Sequence, residues 1–381
     1  MRNLFSRKAL LLSLIAAVFL VPIAIPSTAV FAVSCSPAGT TGLTALIVVT
    51  HSHQKISGTT INAGGCDVGI YVSPGLSHVT ITGVTVSGAN QHGILVQDDS
   101  NITITNNLVT GNGVASLVCP ASGALPPGCI PENKPIQLVG TSDSIVSHNI
   151  VNNNSADGGI GIADDGPQNP GAPLGIAGGT FKAVNDVVKD NSISDNTRGC
   201  GIVIAAYNPN VGVKDVRVYG NTIVGQAPGT PIVATTGPYI GQIVVATDAP
   251  MTTISNVRLI GNTLNGAFLP GIVLHANAFG DKILNTKIIA NSIAQTGFYP
   301  GPPNATSNTP TSFQGTTGIS IVAENTASTS PPAVISHTTI RSNTVLGVTN
   351  GIWLCFTTHT KIIAEKGNPT NAKVTCVSGG S

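Results

Sequence analysis

The sequence predicts an all-β solenoid, a stack of similar coils with loops inserted between them. Three observations predict it. A four-residue opening recurs along the chain: GIYV at Gly69, GILV at Gly93, PIQL at Pro135, GIGI at Gly159, GIVI at Gly201, QIVV at Gln242, GIVL at Gly271, GISI at Gly318 and GIWL at Gly351. Most of these are followed by a second landmark, Asn-x-apolar. It reads NNL at Asn106, HNI at His148, NSI at Asn191, NTI at Asn221, NTL at Asn262, NSI at Asn291 and NTV at Asn343. The third observation is composition. Charged residues make up 9% of the chain, where an average soluble domain has about a quarter. Val, Ile, Thr, Asn and Gly are abundant, which suits strands and tight turns.

The chain opens MRNLFSRK, then runs through the apolar ALLLSLIAAVFLVPIAIP. That is the pattern of a signal peptide, with cleavage after Ala32. Pro22 and Pro26 break the run, which argues against an uncleaved anchor. Ala32-Val33-Ser34-Cys35 loosely resembles a lipobox without its Leu, so a lipidated Cys35 stands as another reading. The expected organisation is a signal peptide at 1–32, a cap or linker at 33–44, one repeat domain at 45–376 and a tail at 377–381. No later run is long and apolar enough to span a bilayer. Export places the chain outside the cytoplasm: secreted, at the cell surface, or in a periplasm.

Without Arg2, Arg7 and Lys8, 14 cations face 16 acids, a net charge of −2. Nucleic acid is thereby disfavoured, since its binding needs clustered Lys and Arg. Seven cysteines remain. In an exported chain Cys35 could pair with Cys66, Cys119 with Cys129 and Cys355 with Cys376, leaving Cys200 over.

Each coil reads as a Gly-Ile strand, a turn, a short alternating strand such as ITIT or VRLI, the Asn turn, another short strand and a connection onward. Period-2 alternation sends every second side chain inward. Ile94 and Val96, Ile160 and Ile162, Ile202 and Ile204, Ile272 and Leu274, Ile319 and Ile321, and Ile352 and Leu354 would stack into one narrow core. A single coil cannot bury its apolar face, but several stacked coils can. Asn suits the turn for two reasons. It tolerates left-handed backbone, and its amide can bond to the same amide one coil on. His148 interrupts that series, so either the ladder is irregular there or it passes through Asn149.

These landmarks resemble those of the right-handed parallel β-helix repeat proteins, the pectin-lyase-like architecture. The resemblance covers roughly residues 45–376. It implies a right-handed parallel β-helix solenoid of about nine to ten coils with inserted loops. It says less of function, because that architecture hosts lyases, hydrolases, epimerases, adhesins and non-catalytic proteins. Of the motifs of the pectin-hydrolysing relatives, only the Asp-Asp pairs are present here. The Trp-x-Asp-His of pectate lyases is absent. Arg217, Arg258 and Arg341 belong to the strand before the Asn turn, on another face, so no Arg or Lys base falls in the groove register.

Longer loops at 111–134, 225–241 and 297–317 share one register, and a fourth at 166–180 leaves from the other end of a Gly-Ile strand. Together they would wall a groove over the outer face of the Gly-Ile sheet. The outward positions there include Tyr71, Gln97, Gln137, His275, Ser320 and Trp353. At the turn that follows come Asp99, Thr141, Asp165, Tyr207, Asp248, Asn277 and Glu324. A catalytic set of Asp248, His275 and Glu324 is expected, with Gln97, Gln137, Asn277, Ser320 and Trp353 contacting substrate. Carboxyls two coils apart lie about 10 Å from each other, near the ~6.5–9.5 Å of inverting glycoside hydrolases. Asp98, Asp99, Asp164 and Asp165 could instead hold Ca²⁺, a hard cation that takes oxygen ligands. They could also be turn residues bonded to local backbone. His51 and His53 in THSHQ would share a strand face as a metal pair could, with no third ligand evident.

Two function classes stay open. One is an extracellular polysaccharide-binding β-helix, a lyase or glycoside hydrolase if it cleaves. The other is a non-catalytic surface or adhesin-like rod. Oligomeric state is not readable from the sequence.

Overall fold

The computed structural model describes residues 34–113, 134–155, 158–165, 181–197, 199–225, 241–266, 270–294, 296, 316–323, 331–367 and 371–375, with no helix among them. The predicted leader, the Cys119–Cys129 pairing, most of the inserted loops and Glu324 lie outside the described residues. No helix among the described residues is long and apolar enough to cross a membrane.

The Gly-Ile strands, from Thr44–Val49 to Asn371–Thr375, stack in one twelve-stranded sheet. All but one run parallel. The exception, Ser36–Pro37, pairs antiparallel with the start of Thr44–Val49. A second sheet has ten strands, from Lys55–Ser57 to Lys361–Ile363, and carries the strands that precede the Asn turn. A third, also ten-stranded, runs from Thr60–Asn62 to Lys366–Gly367 and carries those that follow it. A six-stranded fourth sheet, Ala183–Val184 to Thr357–Thr358, lies between the Gly-Ile strand and the second sheet in chain order. The chain is therefore a parallel β-helix, as its repeats predict.

Register confirms the inward rows. Ile70, Ile94, Ile136, Ile160, Ile202, Ile243, Ile272, Ile319 and Ile352 sit directly over one another. All belong to one continuous buried core with Ile81, Ile104, Val146, Val188 and Val218 of the second sheet and Val86, Val109, Val151, Ile193 and Ile223 of the third. The glycine of the landmark has a steric cause. At Gly201 a Cβ would stand 2.7 Å from the carbonyl oxygen of Gln242 in the next coil and 2.7 Å from Ile223 Cγ2. At Gly271 the corresponding distances are 2.6 Å to Gly318 O and 2.5 Å to Ile293 Cγ2. At these two glycines nothing larger than hydrogen fits, whereas Pro135 and Gln242 fill the same position in two other coils.

The asparagine ladder is real; its register corrects the Asn106 landmark and, at the His148 interruption, follows one of the two expected routes, through Asn149. It runs Asn107–Asn149–Asn191–Asn221–Asn262–Asn291–Asn343, each Nδ2 donating to the next Oδ1 at 2.9–3.0 Å. Each of those Oδ1 atoms also accepts the backbone N–H of the preceding ladder residue. Each Nδ2 also reaches a backbone carbonyl, from Ile81 to Ile288. Asn106 and His148 are not rungs. They stand one residue earlier, at φ 57° and 55°, with Asp190 in the same position at 54°. The left-handed backbone thus belongs to the residue before the rung, and the rung is Asn for its amide. A second ladder, Asn112–Asn154–Asn196, runs five residues further on.

At the N-terminal end Ser36–Pro37 folds back over the Gly-Ile sheet. Ala38 and Leu43 pack there with Tyr71, Leu95 and Val139. Cys35 is bonded to Cys66, with Cα atoms 5.6 Å apart. Cys355 is disulfide-bonded, its partner being outside the described residues. Cys200 is a buried thiol.

Candidate functional site

The outer face of the Gly-Ile sheet differs from an open polar groove. From Ile202–Ala206 through Thr317–Ala323 every residue of its strands is buried. The run IVIAA at Ile202–Ala206 reads apolar throughout, as strands covered on both faces do. The outward positions Ala163, Val203, Ala205, Val244, Ala246 and Val273 form an apolar cluster with Cys200 and Tyr207. That cluster divides the predicted polar column into two patches.

The first patch lies toward the N-terminus. Tyr71 is fully buried and its hydroxyl donates to Gln97 Oε1 at 2.9 Å. Asp98 takes a left-handed turn (φ 51°) at the end of its strand, and Gly140 takes the same turn one coil on (φ 64°). Because Gly140 has no side chain, the carboxyls of Asp98 and Asp165, two coils apart, approach one another across it, and neither Asp98 oxygen accepts a hydrogen bond from an N–H or O–H donor. A Cβ at Gly140 would strike Asp98 Oδ1 and come within 2.9 Å of Asp165 Cβ. Asp165 is held in an antiparallel bridge with Phe181. Burial first, and the charge and hydrogen bond of Asp165 next, push Asp98 up to about 8. Burial likewise pushes the Tyr71 phenol up, reinforced by Asp99, Asp98 and Asp165. Of the facing pair only Asp98 reaches the surface, at 9% exposure against 0% for Asp165.

The other two acids of the proposed metal set have structural duties. Asp99 accepts the Leu76 N–H at 2.6 Å, and burial still pushes it up to about 8. Asp164 turns toward the next coil, where its oxygens accept Tyr207 N–H at 2.7 Å, Gly212 N–H at 2.8 Å and Asn208 N–H at 3.4 Å. It is pushed up to about 6 by burial, against those bonds. Calcium needs about 6–8 oxygens converging on one point. Asp164 and Asp165 diverge instead, and no group of three His, Cys, Asp or Glu among the described residues is arranged to hold a metal. The four carboxyls do not fit one Ca²⁺ site.

The second patch contains two of the three predicted catalytic residues, Asp248 and His275, Glu324 lying outside the described residues. Asn277 Nδ2 donates to half-buried Asp248 Oδ1 at 2.9 Å, which links those two residues across adjacent coils. His275 is fully buried, in register between Ala246 and Val322. Ser320 is fully buried between Val273 and Trp353. Half-buried Trp353 donates its indole N–H toward Cys355 Sγ at 2.8 Å, tying it to the end of its own strand. Gln137 is buried, and its amide reaches the Leu138 carbonyl at 3.3 Å. Gln97, Gln137 and Ser320 are thus interior residues rather than a solvated lining.

Two buried acids escaped the sequence reading. Asp186 accepts from Thr141 Oγ1 at 2.8 Å and Ser144 N–H at 2.9 Å, and burial pushes it up to about 8. Asp281 accepts Ala278 N–H at 2.7 Å and is pushed up to about 7 by burial. The signal for Asp186 was an interrupted column. Its equivalents are Ile102, Ser144, Val216 and Val257, so a charge there needs bonds. The THSHQ pair is a turn and not a strand. His51 Nδ1 meets Thr50 Oγ1, and His53 stacks on His78 with ring centroids 4.8 Å apart.

The chain belongs to the right-handed β-helix family: residues 44–240 match the family described as "Right handed beta helix region". No curated protein matches it in sequence. Solved structures with a similar fold include the A-module of the mannuronan C-5 epimerase AlgE4 of Azotobacter vinelandii. That match has 14% identity, covers 88% of this chain and 77% of that one, and has a TM-score of 0.41. An exopolygalacturonase of Thermotoga maritima matches at 11% identity and TM-score 0.43, covering 78% of this chain and 55% of that enzyme. The surface adhesin PfbA of Streptococcus pneumoniae matches at 10% identity and TM-score 0.46, covering 88% and 84%.

Proposed function

We propose that the chain is an exported β-helix protein that binds and cleaves an extracellular polysaccharide, with its acid at Asp98. The observation that supports this is the Asp98–Asp165 pair meeting across Gly140. Two carboxyls this close share a proton, because both cannot ionise together. A carboxyl that keeps its proton near neutral pH can donate it to a glycosidic oxygen. Their contact also sets them far inside the ~6.5–9.5 Å that an inverting acid and base require. The pair would then act as a single acid, with Asp165 positioning Asp98. The Cys35–Cys66 bond suits an oxidising compartment.

A non-catalytic surface rod is the second reading. It is favoured by Asp99, Asp164, Asp186 and Asp281, each of which accepts a backbone N–H. The test is release of reducing ends or unsaturated uronides from a polysaccharide panel, with and without Ca²⁺, by the wild type and Asp98→Asn. Cleavage that falls at least about 100-fold in the variant, and that declines as pH rises through about 8 in the wild type, supports the acid. An inert wild type that folds normally would establish the rod.

A further inference from the structure

The second sheet carries a surface that the acid cluster does not use. Its outward positions form two files. In the first, Arg217 pairs with Arg258 and Arg258 with Lys287, in three successive coils. All three side chains are exposed. In the second file Lys189 is followed by Tyr219, Ile260, Ile289 and Arg341. The Lys189 amine lies 5.9 Å from the centre of the Tyr219 ring.

Like charges set directly opposite on neighbouring strands repel. Here that repulsion is not relieved from within. Among the described residues none of the three stacked cations is in an ion pair. Arg217 donates to Asn185 Oδ1 at 3.1 Å. The nearby acids are engaged elsewhere: Asp215 with Lys214 at 3.4 Å and Asn256 at 2.9 Å, and Asp190 with His148 at 3.8 Å. A chain with only 17 cations in 381 residues thus sets three of them in line, one strand separation apart (~4.8 Å). Beside them runs a flat strip of Tyr219, Ile260 and Ile289.

We infer that this face is a docking surface for a linear acidic polysaccharide, a polyuronate lying along the helix axis. Its regularly spaced carboxylates meet Arg217, Arg258 and Lys287, and its sugar faces lie on Tyr219 and the two isoleucines. Nucleic acid fits less well, since a single file of three cations on a nearly neutral chain is a small footprint for a phosphate backbone. The inference is independent of the Asp98 reading, because it concerns binding on a different sheet and not cleavage.

The test is binding of the full chain to polygalacturonate, by affinity electrophoresis and titration calorimetry at low and high salt. The Arg258→Gln/Lys287→Gln variant changes only exposed side chains, and its melting curve checks that it folds. The expected result is binding that weakens with salt and falls about tenfold in this variant. A Lys55→Gln/Lys366→Gln control, at the first strand of the second sheet and the last strand of the third, keeps wild-type binding. Three outcomes would overturn the inference: no binding by the wild type, equal loss in the control, or single-stranded DNA bound as tightly as polygalacturonate.

Discussion

The asparagine ladder and the acid run lie on different sides of the same coils, and they solve the problem of buried polar groups differently. Along the ladder each amide does in one coil what it does in the next: one donor to the following rung, one to a carbonyl, and an oxygen that takes two N–H groups. The acids repeat nothing. Asp99 binds one backbone amide, Asp164 binds several, and Asp98 faces another carboxyl. A polar group that recurs identically is part of the scaffold. A polar group that departs from its neighbours is either a local repair or a working residue, and its partners decide which. By that rule Asp164 is a repair and Asp98 is the candidate.

The contrast can be broken from either side. The largest effect should come from Asn221→Ala in the middle of the ladder. It strands the Asn191 amide donors and the Val188 carbonyl, and should lower unfolding free energy by about 4 kcal/mol in denaturant titration. Asp164→Ala should cost about 3 kcal/mol, by leaving Tyr207 and Gly212 N–H groups without an acceptor, while polysaccharide cleavage, if present, survives in the folded fraction. Gly201→Ala forces a Cβ against the Gln242 carbonyl and should cost about 2 kcal/mol.

A subtler prediction concerns pH. Asp98, Asp99 and Asp186 are pushed up to about 8, Asp281 to about 7 and Asp164 to about 6, all from 3.8. Between those limits the folded state holds more protons than the unfolded chain. Stability is therefore fullest below about pH 4 and is lost as pH rises through 6 to 8. The melting temperature should be higher at pH 5 than at pH 8. Asp98→Asn, which mimics the protonated carboxyl, should flatten that decline. A melting temperature that rises over the same interval would show that these acids ionise freely. The smallest effect is at the ladder's end, where Glu365→Gln should change stability by no more than about 0.5 kcal/mol.

The sequence made the core rows legible because Gly-Ile-x-apolar states the inward pair directly. It made the ladder legible but placed one rung a residue early, at Asn106, since NNL and NLV both satisfy Asn-x-apolar; at His148 the ladder passes through Asn149, one of the two routes the sequence left open. The inward residue two places after the rung settles the register: Val109 follows Asn107, and Val151 follows Asn149. The outer face was misjudged because alternation was read into strands such as IVIAA, which are apolar on both sides. The acid contact was only half legible. Asp98 and Asp165 were placed two coils apart, but nothing in that spacing says they touch. The missing side chain of Gly140 brings them together, and a glycine in a turn gives no hint of what it makes room for.

The direction of the ladder has a consequence for where the molecule can grow. Every side-chain amide from Asn107 to Asn291 donates toward the C-terminal neighbour, so the rungs form a head-to-tail train of dipoles with its donor end at Asn343. There Asn343 Nδ2 meets the Glu365 carboxylate at 3.3 Å. A duplicated coil carrying its own asparagine could be spliced anywhere between the first rung and the last and would inherit both neighbours. Beyond Glu365 it could not, because an anion that only accepts cannot pass the pattern on. The chain is in this sense a modular ruler with a marked end, and Glu365 is the mark.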